Sequence, residues 1–365
     1  MFFNKGDRVN MNKLVILGGG YGGMKILNEL LPGHLPENAS ITLIDRVPYH
    51  CLKTEYYALA AGTISDKEVR VNFPEDPRLH IQYGVVERID LEDKKVLLND
   101  GEAVDYDDLV IGLGCEDKYH HVPGADQYTL SIQNIRKARK TYTILNNLPA
   151  GSVVGIVGAG LSGVELASEL SESRPDLTIK LFDRGKHILS DFPDRLSKYV
   201  EEWFVHHKVE IINQSNITKV SEKTLYNHDE AIHCDAIVWT AGIQSNRIVR
   251  EMEIEHDSLG RAVITPLHHL PGDEHVFFVG DCASLPHAPS AQLAEGQAIQ
   301  IVEVLKKRWN QEQLPTALPT IKLKGVLGSL GKKHGFGVMA DRPITGRVAR
   351  LLKSGILWMY KYHHG

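Results

Sequence analysis

Twice in this chain an apolar, strand-like run ends in three glycines at GxGxxG spacing and passes directly into a helix-like stretch. The first copy is KLVILGGGYGGMKILNEL, with Gly18, Gly20 and Gly23; the second is SVVGIVGAGLSGVELASEL, with Gly158, Gly160 and Gly163. Few folds accept this pattern. The first glycine allows a tight turn, the second lets the backbone approach a ligand, and the third lets helix and strand pack closely. Each copy is followed by another apolar run ending in an acid, ITLID with Asp45 and TIKLFD with Asp183. An acid about 20 residues beyond the glycines is the spacing of a βαβ unit whose carboxylate accepts hydrogen bonds from a ribose.

The duplication continues past the acids. IQYGVVERIDLEDKKVLLNDG and VEIINQSNITKVSEKTLYNHDE alternate as antiparallel meanders do, and each half closes on acid, apolar strand and glycine: YDDLVIGLG at Gly114 and CDAIVWTAG at Gly242. The reading is an α/β chain with two Rossmann-like dinucleotide-binding domains. In each, free N–H groups and partial positive charge at a helix start face a pyrophosphate. A further apolar strand, HVFFVGDCASLP, reaches Gly280 and Asp281 after the second repeat, so the first domain should be split in sequence. The expected boundaries are 11–119 with 258–321 for the first domain and 120–257 for the inserted one.

Length agrees with this plan, since 365 residues with 42% hydrophobic content exceed what one core normally organises. No apolar run approaches the about 18 to 20 residues that cross a bilayer, and the opening MFFNKGDRVN lacks a signal-peptide core, which suggests a cytoplasmic protein. The four cysteines form no CxxC or CxxxxC pair, and adjacent histidines such as His206-His207 and His268-His269 diverge, so neither a disulfide framework nor a metal site is expected. Charge is uneven. From Ile321 onward nine basic residues face one acid, a net +8 that leaves −13 for the rest of a chain whose total is −5. With Leu351, Leu352, Ile356, Trp358, Met359 and Tyr362 added, residues 322–365 read as a basic amphipathic segment for a membrane surface or a protein partner. Nothing in the pattern calls for nucleic acid.

A chain of this plan resembles the two-dinucleotide flavoproteins. The resemblance implies FAD on the first fold, at Gly18, Gly20, Gly22, Gly23, Asp45, Gly114, Gly280 and Asp281, and the nicotinamide cofactor on the second, at Gly158, Gly160, Gly163, Glu165, Asp183 and Gly242. Asp183 favours NADH, because a carboxylate accepts from a 2′-OH and repels a 2′-phosphate, although Arg184 follows it. Disulfide reductases of this architecture carry a CxxxxC pair after the first acid. Here RVPYHCLKTEYYALAAG has Cys51, but Tyr56 at the second position, which excludes a dithiol route.

Almost the whole chain resembles the type II NADH dehydrogenases, single-subunit peripheral-membrane NADH:quinone oxidoreductases. The motifs are GGGYGG, DRVPYHCLKTEYYALAAG, YDDLVIGLGCEDKYHHVPGA, GAGLSGVELASEL, VWTAG, VFFVGDCA and AQLAEGQA. This implies a quinone acceptor beside Gln292, with Glu169 as proton relay and a place on the cytoplasmic membrane face. Relatives show AQxAxQ, whereas this chain has Gly296 followed by Gln297, a step of about 100° around a helix. Two rival readings stand beside it: a single-cysteine peroxidase or coenzyme A disulfide reductase using Cys51 with His50, and a non-enzymatic NADH-sensing flavoprotein that binds a partner through its basic tail. Whether the chain forms a homodimer is left open.

Overall fold

The computed structural model describes residues 12–364. The opening MFFNKGDRVN segment, residue 11 at the expected domain start, and Gly365 lie outside the described residues. The run Leu14 to Leu17 is buried on both faces, the condition for a central parallel strand. Asn12–Leu17 pairs in parallel with Ala39–Asp45 on one side and Asp108–Ile111 on the other. Leu79–Tyr83 extends the sheet beyond Ala39–Asp45. Asp273–Phe278 joins in parallel beside Asp108–Ile111, with His269–Leu270 antiparallel at the edge.

The second sheet repeats the arrangement. Val153–Val157 lies between Thr178–Phe182 and Ala236–Trp239, with Glu210–Ile212 outside, all parallel. Both Rossmann-like units expected from the duplicated motif are therefore present. The two meanders form three-stranded antiparallel sheets, Val86–Asp90 with Lys95–Leu98 and Ala103–Asp105, and Ile217–Ser221 with Thr224–Asn227 and Glu230–His233. The chain enters the second unit through Cys115–Asp117 and leaves it through Ile243–Ser245, and these two segments pair with each other.

The C-terminal region is more built than one amphipathic stretch. Gly325–Leu330, His334–Met339 and Arg342–Thr345 form an antiparallel sheet, followed by the helix Gly346–His364. Glycines dilute the strand signal in this sequence, yet close packing needs them: a Cβ at Gly337 would run into Val326 O, and one at Gly335 would lie 2.8 Å from Arg350 N. Leu330, Phe336 and Ala349 anchor the unit in the core. Among the described residues no helix is long and apolar enough to cross a membrane.

Candidate functional site

The two glycine turns have the same geometry. Gly18 and Gly158 take φ of +95° and +100°, and a Cβ at Gly23 or Gly163 would collide with the carbonyl oxygen of Gly18 or Gly158. The middle glycines differ from these: a Cβ on Gly20 or Gly160 would meet nothing within 4 Å. These two positions open the helices Tyr21–Leu30 and Leu161–Ser173, whose first-turn N–H groups have no intrahelical partner. An open backbone surface at a helix start is what an approaching diphosphate requires.

The acids brace these turns. Asp45 accepts from Gly19 N at 2.7 Å and Val47 N at 3.1 Å, and Asp183 accepts from Ala159 N at 2.9 Å and Gly185 N at 2.7 Å. Burial raises the Asp45 carboxyl above its ordinary value, against those N–H donors. Gly22 has a packing role, since a Cβ there would come within 2.5 Å of Val279. Gly242, at φ +110°, lies beside His120, which hydrogen-bonds Ala241 O at 2.7 Å.

Gly114 and Gly280 also take left-handed φ, +71° and +76°, and Gly114 faces open space. Asp281 meets two groups that sequence reasoning missed, Lys53 Nζ at 3.4 Å and Cys115 Sγ at 3.1 Å. A lysine between Cys51 and Tyr56, where other members of this architecture carry thiols, was the available signal.

Several of the expected site residues make contacts that their sequence motifs do not announce. Gln292 donates to Gly325 O and accepts from Lys324 N, both at 2.9 Å, so its amide braces the C-terminal sheet. Gln297, one step round, is fully buried and accepts from Gly280 N at 2.8 Å, while its Nε2 has no partner. Glu165 is turned to the C-terminal unit: it accepts from Lys353 Nζ and from Ser329 N at 2.8 Å. Lys353 also donates to Tyr57 OH at 2.9 Å. Burial pushes Glu165 up to about 7, outweighing Lys353. Glu169 is buried beside Thr63 and Arg350, and burial raises its carboxyl too. His50 serves the glycine turn: its Nδ1 bonds Gly19 O at 2.8 Å, which leaves Nε2 to accept from Tyr360 OH at 3.0 Å. The Cys51 thiol is raised by burial, opposite to what a reactive thiolate needs.

Two nucleotide cradles with mirrored acids, one of them completed by a late Gly-Asp turn, define a two-dinucleotide oxidoreductase. Residues 12–298 match the pyridine nucleotide-disulphide oxidoreductase family, and the chain belongs to that family. FAD and NADH are its cofactors, and the residues present fit both nucleotides. The chain is 67% identical to the NADH dehydrogenase-like protein YutJ of Bacillus subtilis (strain 168), over 97% of this chain and 100% of that one. It is 26% identical to a type II NADH:quinone oxidoreductase of Staphylococcus haemolyticus, covering 94% of each. In fold it is similar to the solved NDH2 from Plasmodium falciparum in complex with NADH, with a TM-score of 0.82, 15% identity, and coverage of 97% of this chain and 96% of the other.

Proposed function

We propose that the chain carries electrons from NADH through FAD to a quinone, working at a membrane surface. One observation carries this reading: a single helix, Gly346–His364, has a lipophilic outer face and an inner face that meets both nucleotide units. Outward lie Val348, Leu351, Ile356, Trp358, Met359 and Tyr362, all exposed. Inward, at helical spacing, lie Ala349, Lys353, Leu357 and Tyr360. Lys353 reaches Glu165 on the helix of the second cradle, and Tyr360 reaches His50 behind the first. An acceptor drawn from lipid would therefore arrive beside the groups that hold protons.

The chain's own residues position the reactants. Gly160 and Asp183 receive NADH; Gly20, Asp45 and Asp281 receive FAD, and Gln297 fixes the Gly280 turn. The chemistry supplied by bound FAD is hydride uptake from NADH and onward transfer of electrons. Quinone reduction consumes two protons, and Glu165, with a pKa near neutrality, is suited to exchange one while Lys353, itself bonded to Tyr57, and Ser329 N hold it in place. Glu169 is a second buried carboxyl on the same helix.

The test is an acceptor screen with the purified flavoprotein, comparing NADH turnover on short-chain quinone, oxygen, peroxide and coenzyme A disulfide. Fast turnover on quinone alone supports the reading, and quinone no better than oxygen sinks it. Flavin that reduces with NADH and then meets no efficient acceptor would favour the sensing alternative.

A further inference from the structure

Lys53 belongs to none of the roles above. It opens the turn Lys53–Glu55, between Cys51 and Tyr56, where a dithiol enzyme of this architecture would hold its redox pair. Its ammonium donates to Cys115 Sγ at 2.9 Å and to Asp281 Oδ2 at 3.4 Å, and Cys115 Sγ donates to the same carboxylate oxygen at 3.1 Å. Cys115 is also 3.7 Å from Gln133 Oε1. One cation thus joins segments separated by 62 and 228 residues of chain.

The surroundings place this cluster at the wall of the first cradle. Cys115 follows Gly114 and Asp281 follows Gly280, the two left-handed glycines of the late turns, and Gly114 opens on empty space. Asp281 Oδ1 takes no hydrogen bond from any described residue, whereas Oδ2 takes two. Removal from water opposes the charge on Lys53, but Asp281 and Cys115 outweigh that and hold the ammonium above its ordinary pKa. Burial pushes the Cys115 thiol up to about 12, so the thiol stays protonated and Lys53 forms its ion pair with Asp281.

We infer that Lys53 is a positioning residue of the FAD site. It fixes the Asp281 carboxylate by one oxygen, leaves the other free for a hydroxyl of the flavin's ribityl chain, and balances the carboxylate's charge at the wall of the cradle. An unbalanced carboxylate there would disfavour the electron-rich, reduced flavin, so Lys53 raises the midpoint potential. This inference rests on FAD in the first cradle and is independent of the acceptor, so a failed quinone screen would leave it standing.

The experiment compares wild type, Lys53→Met, Lys53→Arg and the distant control Lys208→Met. Two readouts bypass turnover: the FAD dissociation constant, from titration of the apoprotein, and the midpoint potential, by dye equilibration. Loss of a charged hydrogen bond should weaken FAD in Lys53→Met by about ten- to a hundredfold and lower its potential. Lys53→Arg should keep the potential, and Lys208→Met should match wild type in both. Should Lys53→Met fail to fold, Lys53→Gln keeps a hydrogen-bond donor and removes the charge, and its potential decides in the same way. An unchanged potential in either neutral variant overturns the inference, even if FAD binds more weakly, because Lys53 would then be only a packing residue.

Discussion

Lys353, on the last helix, donates a hydrogen bond to Glu165, five residues into the helix that Gly160 opens. The pair is buried, and Tyr57, Ser329 and Arg350 complete the network around it. A contact spanning 188 residues of chain therefore joins the second nucleotide cradle to the helix with the lipophilic face.

The Glu165 carboxyl sits at about 7 rather than 4.5, with burial as the leading cause. Its folded-state pKa is raised, so the native state holds the proton more tightly than the unfolded chain. The stability this proton contributes is complete below about pH 4.5 and is lost as pH rises through about 7. The rate with quinone should show an inflection near pH 7 that Glu165→Gln removes. If the inflection survives the substitution, another group is responsible.

Gly20 and Gly160 have ordinary φ, −73° and −71°, and open surroundings, so alanine should fit the protein and obstruct only the ligand. Gly160→Ala should raise the KM for NADH by about tenfold, the cost of one lost good contact, with FAD and the apoprotein Tm unchanged. Gly163→Ala must instead push against Gly158 O and should destabilise the fold by about 1–3 kcal/mol. Thermal unfolding beside NADH titration separates the two effects. Equal losses of Tm in both variants would remove Gly160 from the ligand surface.

Gln297→Ala leaves the Gly280 amide without its acceptor, which should cost about 1–3 kcal/mol in urea unfolding and loosen FAD. Gln292→Ala cuts the tie to Lys324 and Gly325 and should cost stability while leaving the quinone KM in place. A raised quinone KM with unchanged stability would return Gln292 to the acceptor site.

Leu351→Gln and Trp358→Gln alter only the outer face of the last helix, where both side chains are exposed. Each apolar side chain buried in an interface contributes about 1.5–3 kcal/mol. Co-sedimentation with vesicles containing anionic phospholipid should therefore fall about tenfold or more, while turnover on a water-soluble quinone stays constant. Undiminished sedimentation would show that this face does not meet lipid.

Cys51→Ser should leave NADH oxidation and every acceptor rate unchanged, since burial holds the thiol protonated. Selective loss of peroxide or disulfide reduction would restore the single-cysteine mechanism.

Both nucleotide units were legible because their demands are local. Gly18, Gly23, Asp45 and their counterparts Gly158, Gly163 and Asp183 answer to backbone geometry within one βαβ unit, so spacing alone exposes them. The partners of Glu165, Asp281 and Gln292 come from distant segments; no local pattern announces Lys353 or the Lys324 amide, and the position of Lys53 between Cys51 and Tyr56 does not by itself reveal that it pairs with Asp281. The Gln292 and Gln297 roles turned on a single helical step, which decides between the C-terminal sheet and the Gly280 turn. The three C-terminal strands stayed hidden because Gly328, Gly335 and Gly337 interrupt the hydrophobic alternation that marks a strand.

The pairing of Cys115–Asp117 with Ile243–Ser245 bears on how such a chain assembles. The first sheet is finished only when Asp273–Phe278 reaches Asp108–Ile111, with the entire second unit lying between them in sequence. Closing so long a loop from a disordered chain is entropically costly and slow. Once the second unit has folded and clasped its own two ends, the effective loop shrinks to residues 112–114 on one side of the clasp and 246–272 on the other. Maturation of the first sheet is then a short-range search, and the inserted unit acts as a template for the one that contains it.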